Sequence, residues 1–249
     1  MGKFWKMVDK VIKESDVLLL LLDARLVEET MNPEVEDKVE DSEKPLIYVI
    51  TKCDLVDKDI VEGYKKKLKP CVFISAKKHF GTKILRDRIL IEAEKAGIKT
   101  YKTINVGVLG YPNVGKSSLI NAMKGKKSAP TSIISGYTKS LQMIRTHKRI
   151  MLMDTPGVIP YSEKDYIKHA LIGTIDFNQI READIVVIEL MEKYSGMIEY
   201  FYGIDTQKDK EKTIKEIALK RGILKKGGEP DIIKTSKTII RDWQTGKIK

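Results

Sequence analysis

The sequence is poor in cysteine and histidine, which limits the kinds of site that it can form. Its 249 residues include only two cysteines, Cys53 and Cys71, and three histidines. The cysteines lack the paired spacing of a zinc site and lie in or beside apolar runs, so we expect buried thiols in a reducing compartment. None of the histidines has metal-ligand spacing with a cysteine or another histidine. They are predicted to be surface or structural residues.

Long apolar runs and an excess of acidic residues are also missing. The apolar run 17–22 is far shorter than the roughly 20 residues that a membrane-spanning helix needs, and the N-terminus has no signal-peptide layout. We therefore expect a cytoplasmic protein without membrane contact, monomeric when free. Lys and Arg number 46 against 35 Asp and Glu, a net charge of +11. This charge favours an anionic partner such as RNA, the alternative being a solvated basic surface.

Short apolar runs alternate with helical patterns as far as about residue 165, which predicts a mostly parallel α/β sheet flanked by helices. After that point strand-like runs mostly disappear, although 184–188 is compatible with a strand or a buried helix. We therefore predict a first, α/β domain over residues 1–165 and a helical, basic domain over residues 166–249. The strands are predicted at 17–23, 45–50, 71–75, 103–109, 139–146 and 149–154, the last two as an antiparallel hairpin, and the helices of the first domain near 3–14, 57–68, 82–96 and 116–124.

The segment GYPNVGKS, residues 110–117, matches the phosphate-binding pattern G-x-x-x-x-G-K-[ST] in full. An apolar run precedes it and a helical pattern follows it, which is the setting that this pattern requires. Backbone N–H groups at the start of such a helix surround the α- and β-phosphates of a nucleotide. Lys116 is predicted to reach the β- and γ-phosphates and Ser117 to give its hydroxyl to Mg²⁺. The other nucleotide contacts predicted here are Asn113, Val114, Gly115 and Ser118.

A second motif, DTPG, ends the next apolar run. Its Asp154 is predicted to hold Mg²⁺ through water, and the backbone N–H of Gly157 to contact the γ-phosphate and sense its loss. Between the two motifs, Thr138 is positioned to give Mg²⁺ a second hydroxyl, with Thr131 as the alternative. The residues predicted to act at the γ-phosphate are Lys116, Thr138 and Gly157.

The segment TKCD, residues 51–54, lies upstream of the phosphate loop and has the pattern of a guanine-binding loop. The Asp54 carboxylate can accept hydrogen bonds from N1–H and the 2-amino group of guanine, whereas adenine has no matching pair of donors. The aliphatic stem of Lys52 is predicted to lie on the ring face. A backbone N–H of the segment SAK, residues 75–77, would reach guanine O6. The predicted contacts of the base are Thr51, Lys52, Asp54, Ser75, Ala76 and Lys77.

In this order of motifs the chain resembles the circularly permuted GTPases of the YlqF/RbgA ribosome-assembly family. In that family the base-reading loop and SAK come before the phosphate loop, the switch threonine and DxPG. The likeness covers nearly the whole chain, including SDVLLLLLDAR at residues 15–25 and RGILKKGGEPD at residues 221–231. It implies a P-loop GTPase fold with a six-stranded, mostly parallel sheet and a C-terminal helical domain. It also implies GTP and GDP as ligands, Mg²⁺ as cofactor, and the large ribosomal subunit or its precursor as partner.

Two departures from the family pattern affect the expected chemistry. The Asn of N-K-x-D is Thr51 here, which offers fewer bonds between the base loop and the phosphate loop. No histidine precedes His79, so the N-terminal histidine proposed to act in hydrolysis in some bacterial members has no counterpart. Many GTPases place Gln after DxxG to orient the attacking water, whereas Val158 cannot hydrogen-bond water, so hydrolysis should be slow and partner-stimulated. Asn113 is compatible with a K⁺ site that aids hydrolysis, or with a turn residue.

The C-terminal segment is predicted to contact RNA. Residues 205–249 contain 13 Lys and Arg against 7 Asp and Glu, a difference of +6; the alternative is the solvated face of a helical bundle. The predicted RNA contacts are Lys220, Arg221, Lys225 and Lys226. The sequence thus predicts a GTP-hydrolysing factor in large-subunit assembly that binds rRNA or pre-ribosomal particles in a nucleotide-dependent way. The alternatives are a GTP-gated RNA-binding module with incidental hydrolysis and a regulatory GTPase acting on a protein partner.

Overall fold

The computed structural model describes residues 3–124, 142–155, 157, 159–160 and 163–249. The chain divides into two compact units, Met1–Glu163 and Lys164–Lys249. The first unit is built around one six-stranded sheet, and the described residues of the second are mainly helical. The predicted fold class is therefore confirmed.

The sheet has the strand order β3–β2–β1–β4–β6–β5. Its strands are parallel except β5, which forms with β6 the antiparallel hairpin expected from the sequence. Every residue of β1 is buried, as suits a central parallel strand that is covered on both faces. The strands are β1 Val17–Asp23, β2 Leu46–Thr51, β3 Cys71–Phe73, β4 Ile104–Gly110, β5 Gln142–Arg145 and β6 Ile150–Asp154.

The path of the chain through the sheet brings distant motifs to one edge. The chain moves outward from β1 through β2 to β3, then returns to β4 on the other side of β1, passes to β5 at the far edge and comes back to β6 between them. Ligands of such sheets bind at the carboxyl ends of the strands, next to the point where the order reverses. The four sequence motifs follow the carboxyl ends of β2, β3, β4 and β6. They therefore share the edge at which this fold binds ligands.

Helices cover both faces of the sheet. On one face, alternate residues of β1 pack with Trp5 and Val8 of the first helix and Val35 of the third in one apolar cluster. Gly107 of β4 lets the first helix approach closely, since a Cβ there would lie 2.7 Å from Val11 Cγ1. The helices of this unit are α1 Lys3–Glu14, α2 Val27–Thr30, α3 Pro33–Asp41, α4 Lys58–Glu62, α5 Tyr64–Lys67, α6 Thr82–Lys95 and α7 Lys116–Lys124.

The second unit is organised around a buried tryptophan in its last helix. Trp243 is 1% exposed, and its Nε1 donates to the carbonyl oxygen of Leu171, 3.0 Å away. The uncertain segment 184–188 is helical, because Ala183, Val186, Val187, Leu190 and Met191 are buried at helical spacing on one face. The helices of this unit are α8 Tyr166–Ile172, α9 Ala183–Lys193, α10 Met197–Tyr202, α11 Lys210–Arg221 and α12 Ile232–Gln244.

Candidate nucleotide-binding site

The loop between β4 and α7 has the backbone that a phosphate loop requires. Gly110, Asn113 and Gly115 have φ values of 143°, 61° and 104°. At Gly110 a Cβ would lie 2.8 Å from the carbonyl oxygen of Leu21, so no larger residue fits. Asn adopts the left-handed region more readily than most other residues, and the backbone alone accounts for Asn113. The K⁺ alternative for this residue stays a prediction.

Lys116 closes the phosphate loop with its own side chain. It is 7% exposed, and its Nζ donates to the carbonyl oxygens of Gly110, 2.9 Å away, and Tyr111, 2.5 Å away. Burial lowers the pKa of Lys116 to about 7, and the carboxylate of Asp154 partly opposes that shift. A buried ammonium with so low a pKa is stabilised by any anion placed against it, such as the phosphates of a nucleotide.

Thr51 joins the base-reading loop to the phosphate loop. It is 3% exposed, and its Oγ1 lies 2.5 Å from the carbonyl oxygen of Val114 and 3.0 Å from that of Leu22. One hydroxyl proton serves one of these acceptors at a time. Thr51 therefore replaces the family's Asn as a link between the loops, and in the structure its side chain contacts the protein backbone.

Lys52 is held by a buried ion pair that the sequence analysis did not anticipate. Its Nζ lies 2.7 Å from Oδ2 of Asp23, the last residue of β1, and Arg25 Nη2 lies 2.8 Å from the same oxygen. Burial of Asp23 alone would raise its pKa, but Arg25 and Lys52 outweigh that effect and hold the pKa far below its usual range. Asp23 is opposite Thr51 in the parallel register, which places its carboxylate next to Lys52.

The SAK segment forms a tight loop next to the base-reading loop. Ser75 is buried and exchanges two backbone hydrogen bonds with Phe80, at 3.2 and 3.0 Å, while Ala76 is half-buried and Lys77 exposed. The two loops are linked because the N–H of Cys53 donates to the carbonyl oxygen of Ile74, 3.2 Å away.

Asp54 lies beside this pair of loops. It occupies a short 3-10 turn, Cys53–Leu55, and is half-buried.

Both cysteines, Cys53 and Cys71, are free and half-buried, which is less buried than the sequence suggested.

The DTPG segment follows β6 and contacts the phosphate loop at Pro112. Asp154, at the end of β6, is 5% exposed, and Thr155 Oγ1 donates to the carbonyl oxygen of Val108 in β4, 2.5 Å away. At Gly157 a Cβ would collide with the backbone of Pro112, so this position requires the close approach that glycine allows. The chain at Gly157 is therefore packed directly on the loop between β4 and α7.

The phosphate loop is also tied to residues beyond DTPG. The hydroxyl of Tyr111 donates to Oε2 of Glu163, 2.5 Å away, and the Tyr111 ring is buried. Burial and the Glu163 carboxylate both raise the pKa of Tyr111 above its usual range. Sequence spacing contains no sign of this pair, because 52 positions separate the two residues.

Two of the residues predicted to hold Mg²⁺, Ser117 and Asp154, are among those that the structure describes. Asp154 offers a carboxylate and Ser117, in the first turn of α7, a half-buried hydroxyl next to half-buried Ser118. Oxygen ligands of this kind fit Mg²⁺. Thr138, its alternative Thr131, and Val158 lie outside the described residues. No cluster of three or more His, Cys, Asp or Glu suited to a metal occurs in the described part of the chain.

The predicted RNA contacts lie in the second unit and differ from one another in their surroundings. Lys220 Nζ donates to the carbonyl oxygen of Gly203, 2.7 Å away, and the Arg221 guanidinium lies 5.7 Å from the ring centre of Tyr202. Lys225 and Lys226 are exposed in a turn. That turn is closed by hydrogen bonds from Lys225 N to Glu229 O, 2.8 Å, and from Gly228 N to Lys225 O, 3.1 Å.

Comparison with protein families and curated proteins places these features among GTP-binding proteins. Residues 105–224 match a family model described as 50S ribosome-binding GTPase. The chain is 42% identical over 98% of its length to a GTP-binding protein of Methanocaldococcus jannaschii, of which it covers 65%. It is 36% identical to nucleolar GTP-binding protein 2 of Saccharomyces cerevisiae and 31% identical to nuclear/nucleolar GTPase 2 of Arabidopsis thaliana, each over 99% of its length. Of these two proteins it covers 52% and 44%, so the chain spans about half to two thirds of the curated relatives it matches.

Solved structures with this fold include YlqF. A GNP-bound YlqF from T. maritima gives a TM-score of 0.68 at 23% identity, over 99% of this chain and 95% of that one. A GDP-bound YlqF gives 0.67 at 22% identity, over 97% and 95%. At such identities the likeness concerns the fold, and the resemblance inferred from the motif order is confirmed at that level.

One sequence-based prediction is wrong. The expected cytoplasmic location is contradicted by the relatives, since the yeast protein is described as nucleolar and the plant protein as nuclear or nucleolar. A missing signal-peptide pattern says nothing about these locations, which explains the error. Among the described residues, no helix is both long and apolar enough to cross a membrane.

Proposed function

We propose that the chain is a GTP-binding protein of the group with the circularly permuted fold of YlqF, that it hydrolyses GTP, and that it acts in assembly of the large ribosomal subunit. The family model described as 50S ribosome-binding GTPase and the nucleolar relatives support this role. The base-reading loops lie outside the matched residues 105–224, so guanine recognition is argued from the geometry of the site.

One observation carries the assignment of GTP: the base-reading and phosphate loops, separated in sequence, form one hydrogen-bonded unit. Thr51 reaches the carbonyl of Val114, and Cys53 reaches that of Ile74, which precedes SAK. A guanine bound by Asp54 is therefore at a fixed position relative to phosphates bound by Lys116. Adenine would leave the Asp54 carboxylate without its two donors.

The residues of the site have separate roles in the proposed reaction. Ser117 and Asp154 would hold Mg²⁺, which neutralises phosphate charge when bound, with Thr138 as the further proposed ligand. Lys116 places an ammonium on the β- and γ-phosphates, and the N–H of Gly157 contacts the γ-phosphate. Val158 cannot position water, so hydrolysis is slow until a partner, or K⁺ near Asn113, supplies the missing stabilisation.

The proposed partner is the large ribosomal subunit or its precursor. Residues 164–249 contain 17 Lys and Arg against 14 Asp and Glu, a difference of +3, whereas residues 205–249 alone have +6. The positive charge of the second unit is thus concentrated in its last 45 residues. Within them, Lys225 and Lys226 present exposed ammonium groups beside Gly227 and Gly228, which suits a phosphate backbone.

Sedimentation tests this role directly. The protein is mixed with large ribosomal particles in the presence of GDP or a non-hydrolysable GTP analogue, and the bound fraction is measured for each. We expect stronger association with the analogue, because loss of the γ-phosphate releases the DTPG segment. Equal association with both nucleotides contradicts a GTP-controlled factor, and failure to bind particles at all contradicts the ribosomal role.

A further inference from the structure

The first unit carries a second cationic surface on the edge of the sheet opposite the nucleotide site. We propose that this surface, the hairpin patch, binds RNA by stacking an unpaired base on Tyr101 and holding the adjoining phosphates with basic side chains. The inference rests on the proposed ribosomal role and adds to it a contact on the GTP-binding unit itself. The patch consists of Lys99, Tyr101, Lys102, Arg145, Lys148 and Arg149.

The position of the hairpin patch separates it from the nucleotide. Its residues precede Ile104 of β4 and surround the turn between β5 and β6, at the amino ends of β4 and β6. Lys116 and Asp154 lie at the carboxyl ends. Since β4 has seven residues, the two edges are about 20 Å apart. An anion bound by the hairpin patch is therefore distinct from the phosphates of GTP.

The charge of the patch is of one sign. Neither residues 96–110 nor residues 142–153 contain an Asp or a Glu. The Asp16 carboxylate reaches this part of the sheet edge, where it accepts a hydrogen bond from Asn105 N, 2.7 Å away. Lys99, Lys102, Arg145 and Lys148 are exposed. These four cations lie on two short segments, and cations of this kind give affinity for nucleic acid by neutralising its phosphates.

The patch is also preorganised. The Arg149 side chain donates to the carbonyl oxygens of Lys99, 3.2 Å away, and Lys102, 3.3 Å away, which fastens the loop before β4 to the hairpin. Arg145 likewise donates to the carbonyl oxygen of Lys148, 3.0 Å away. A backbone fixed in this way loses little conformational entropy when it binds.

Tyr101 decides between RNA and other anionic partners. Its side chain is 75% exposed, and Lys99 Nζ lies 5.9 Å from the ring centre. An exposed aromatic ring flanked by cations matches the way in which proteins bind single-stranded nucleic acid, by stacking a base and neutralising its phosphates. A membrane surface would require a broad apolar face, and the hairpin patch offers one ring among charged side chains.

The test uses the full chain, an unpaired RNA oligonucleotide and large ribosomal particles. The triple variant Lys99→Glu, Lys102→Glu and Lys148→Glu leaves Arg149 in place to fasten the backbone. Its matched control reverses the same number of exposed lysines just before β3, the edge strand farthest from the hairpin: Lys65→Glu, Lys66→Glu and Lys69→Glu. Unchanged GDP affinity in both variants verifies that they are folded.

The expected result is specific to the patch. The triple variant should bind the oligonucleotide at least about tenfold more weakly, and the slope of log affinity against log salt should become shallower by about 2, since each phosphate contact in a single strand contributes about 0.7. Tyr101→Ala should weaken binding by roughly 5- to 150-fold, and Tyr101→Phe should restore it, because stacking needs only the ring.

Three outcomes would overturn the inference. Equal losses in the triple variant and its control would mean that only net charge matters, and the ribosomal role would still stand if particles bind. Equal binding by Tyr101→Ala and the unaltered protein would remove the stacking contact. Capture of anionic lipid vesicles with the same dependence on the patch would make a membrane the partner. Failure of the unaltered protein to bind particles is a different result, because it contradicts the proposed function first.

Discussion

The Oγ1 of Thr51, the last residue of β2, lies 2.5 Å from the carbonyl oxygen of Val114 in the phosphate loop. Asn is the usual residue at the Thr51 position in the YlqF/RbgA family that the chain resembles, and its longer amide can make more hydrogen bonds. The threonine nevertheless keeps a direct hydrogen bond between the predicted base-reading loop, residues 51–54, and the predicted phosphate loop, residues 110–117. Its effect should therefore appear in both folding stability and nucleotide affinity.

Thr51→Val tests this bond, because it removes the hydroxyl with little change of shape. The Val114 carbonyl loses a buried donor, and we expect the free energy of unfolding to fall by about 1–3 kcal/mol. The dissociation constant for GDP should rise in the same variant. Denaturant unfolding and GDP titration measure the two effects. Thr51→Ser retains the hydroxyl and should lie much closer to the unaltered protein; equal behaviour of the Val and Ser variants would show that the bond is unimportant.

Asp54→Asn is expected to change base preference. The amide keeps one acceptor oxygen but turns an NH₂ group towards the second guanine donor, so at least one contact worth about 1.5–3 kcal/mol is lost and GTP affinity should fall by roughly 10- to 150-fold or more. Xanthosine triphosphate should bind better, because its 2-oxygen accepts from the new amide. Competition titration with both nucleotides measures the switch. Asp59→Asn, an exposed carboxylate in α4, is the matched control, and unchanged GTP binding by Asp54→Asn would refute the assignment.

Nucleotide affinity should depend on pH through Lys116, whose pKa is lowered to about 7 by burial. Phosphates bind its ammonium form, so GDP affinity should fall as the pH rises above 7, by at most about tenfold per pH unit. Lys116→Arg, which stays charged, should show a flatter profile whatever its affinity. A profile of the unaltered protein as flat as that of the Arg variant would argue against a titrating lysine.

The lowered pKa of Lys116 makes folding stability depend on pH in the opposite direction, so that stability rises as the pH rises above 7. The unfolded chain binds the Lys116 proton more tightly than the folded chain does. The contribution of Lys116 to the free energy of unfolding is therefore greatest at alkaline pH and declines as the pH falls towards 7.

GTP hydrolysis by the isolated protein should be slow. Val158 offers no group to orient water, so we expect turnover to increase on addition of large ribosomal particles, and to increase with K⁺ in place of Na⁺ if Asn113 holds that ion. Phosphate release under the four combinations of particles and cation measures both effects. Rapid turnover by the protein alone in Na⁺ would show that another residue positions the water.

Lys225→Glu with Lys226→Glu should weaken binding to ribosomal particles and make the slope of log affinity against log salt shallower by about 1.4–1.8. GTP affinity should remain nearly unchanged, since both lysines lie in the second unit. Lys212→Glu with Lys215→Glu, two exposed positions of α11, makes the same change in charge. If both pairs behave alike, the basic turn has no specific contact with RNA.

Local sequence patterns predicted the sheet and the motif loops, because buried parallel strands read as unbroken apolar runs and because Gly110 and Gly115 mark a loop that few other residues can form. Contacts between distant residues could not be predicted in this way. Lys52 with Asp23, and Tyr111 with Glu163, become neighbours only through strand register and chain path. The strand alternative at 184–188 arose because an apolar run is compatible with either structure until its burial pattern is known.

The central position of β1 has a consequence for how the chain folds during synthesis. The strand lies between β2 and β4, yet residues 24–103 separate it from β4. While the ribosome is still making that segment, β1 to β3 can pair, but one side of β1 presents unpaired N–H and C=O groups along six consecutive apolar residues, Val17 to Leu22. Such an edge is a template for pairing with another chain. The nascent protein is therefore most exposed to aggregation before β4 emerges, and a chaperone acting then would protect the side of β1 that β4 later covers.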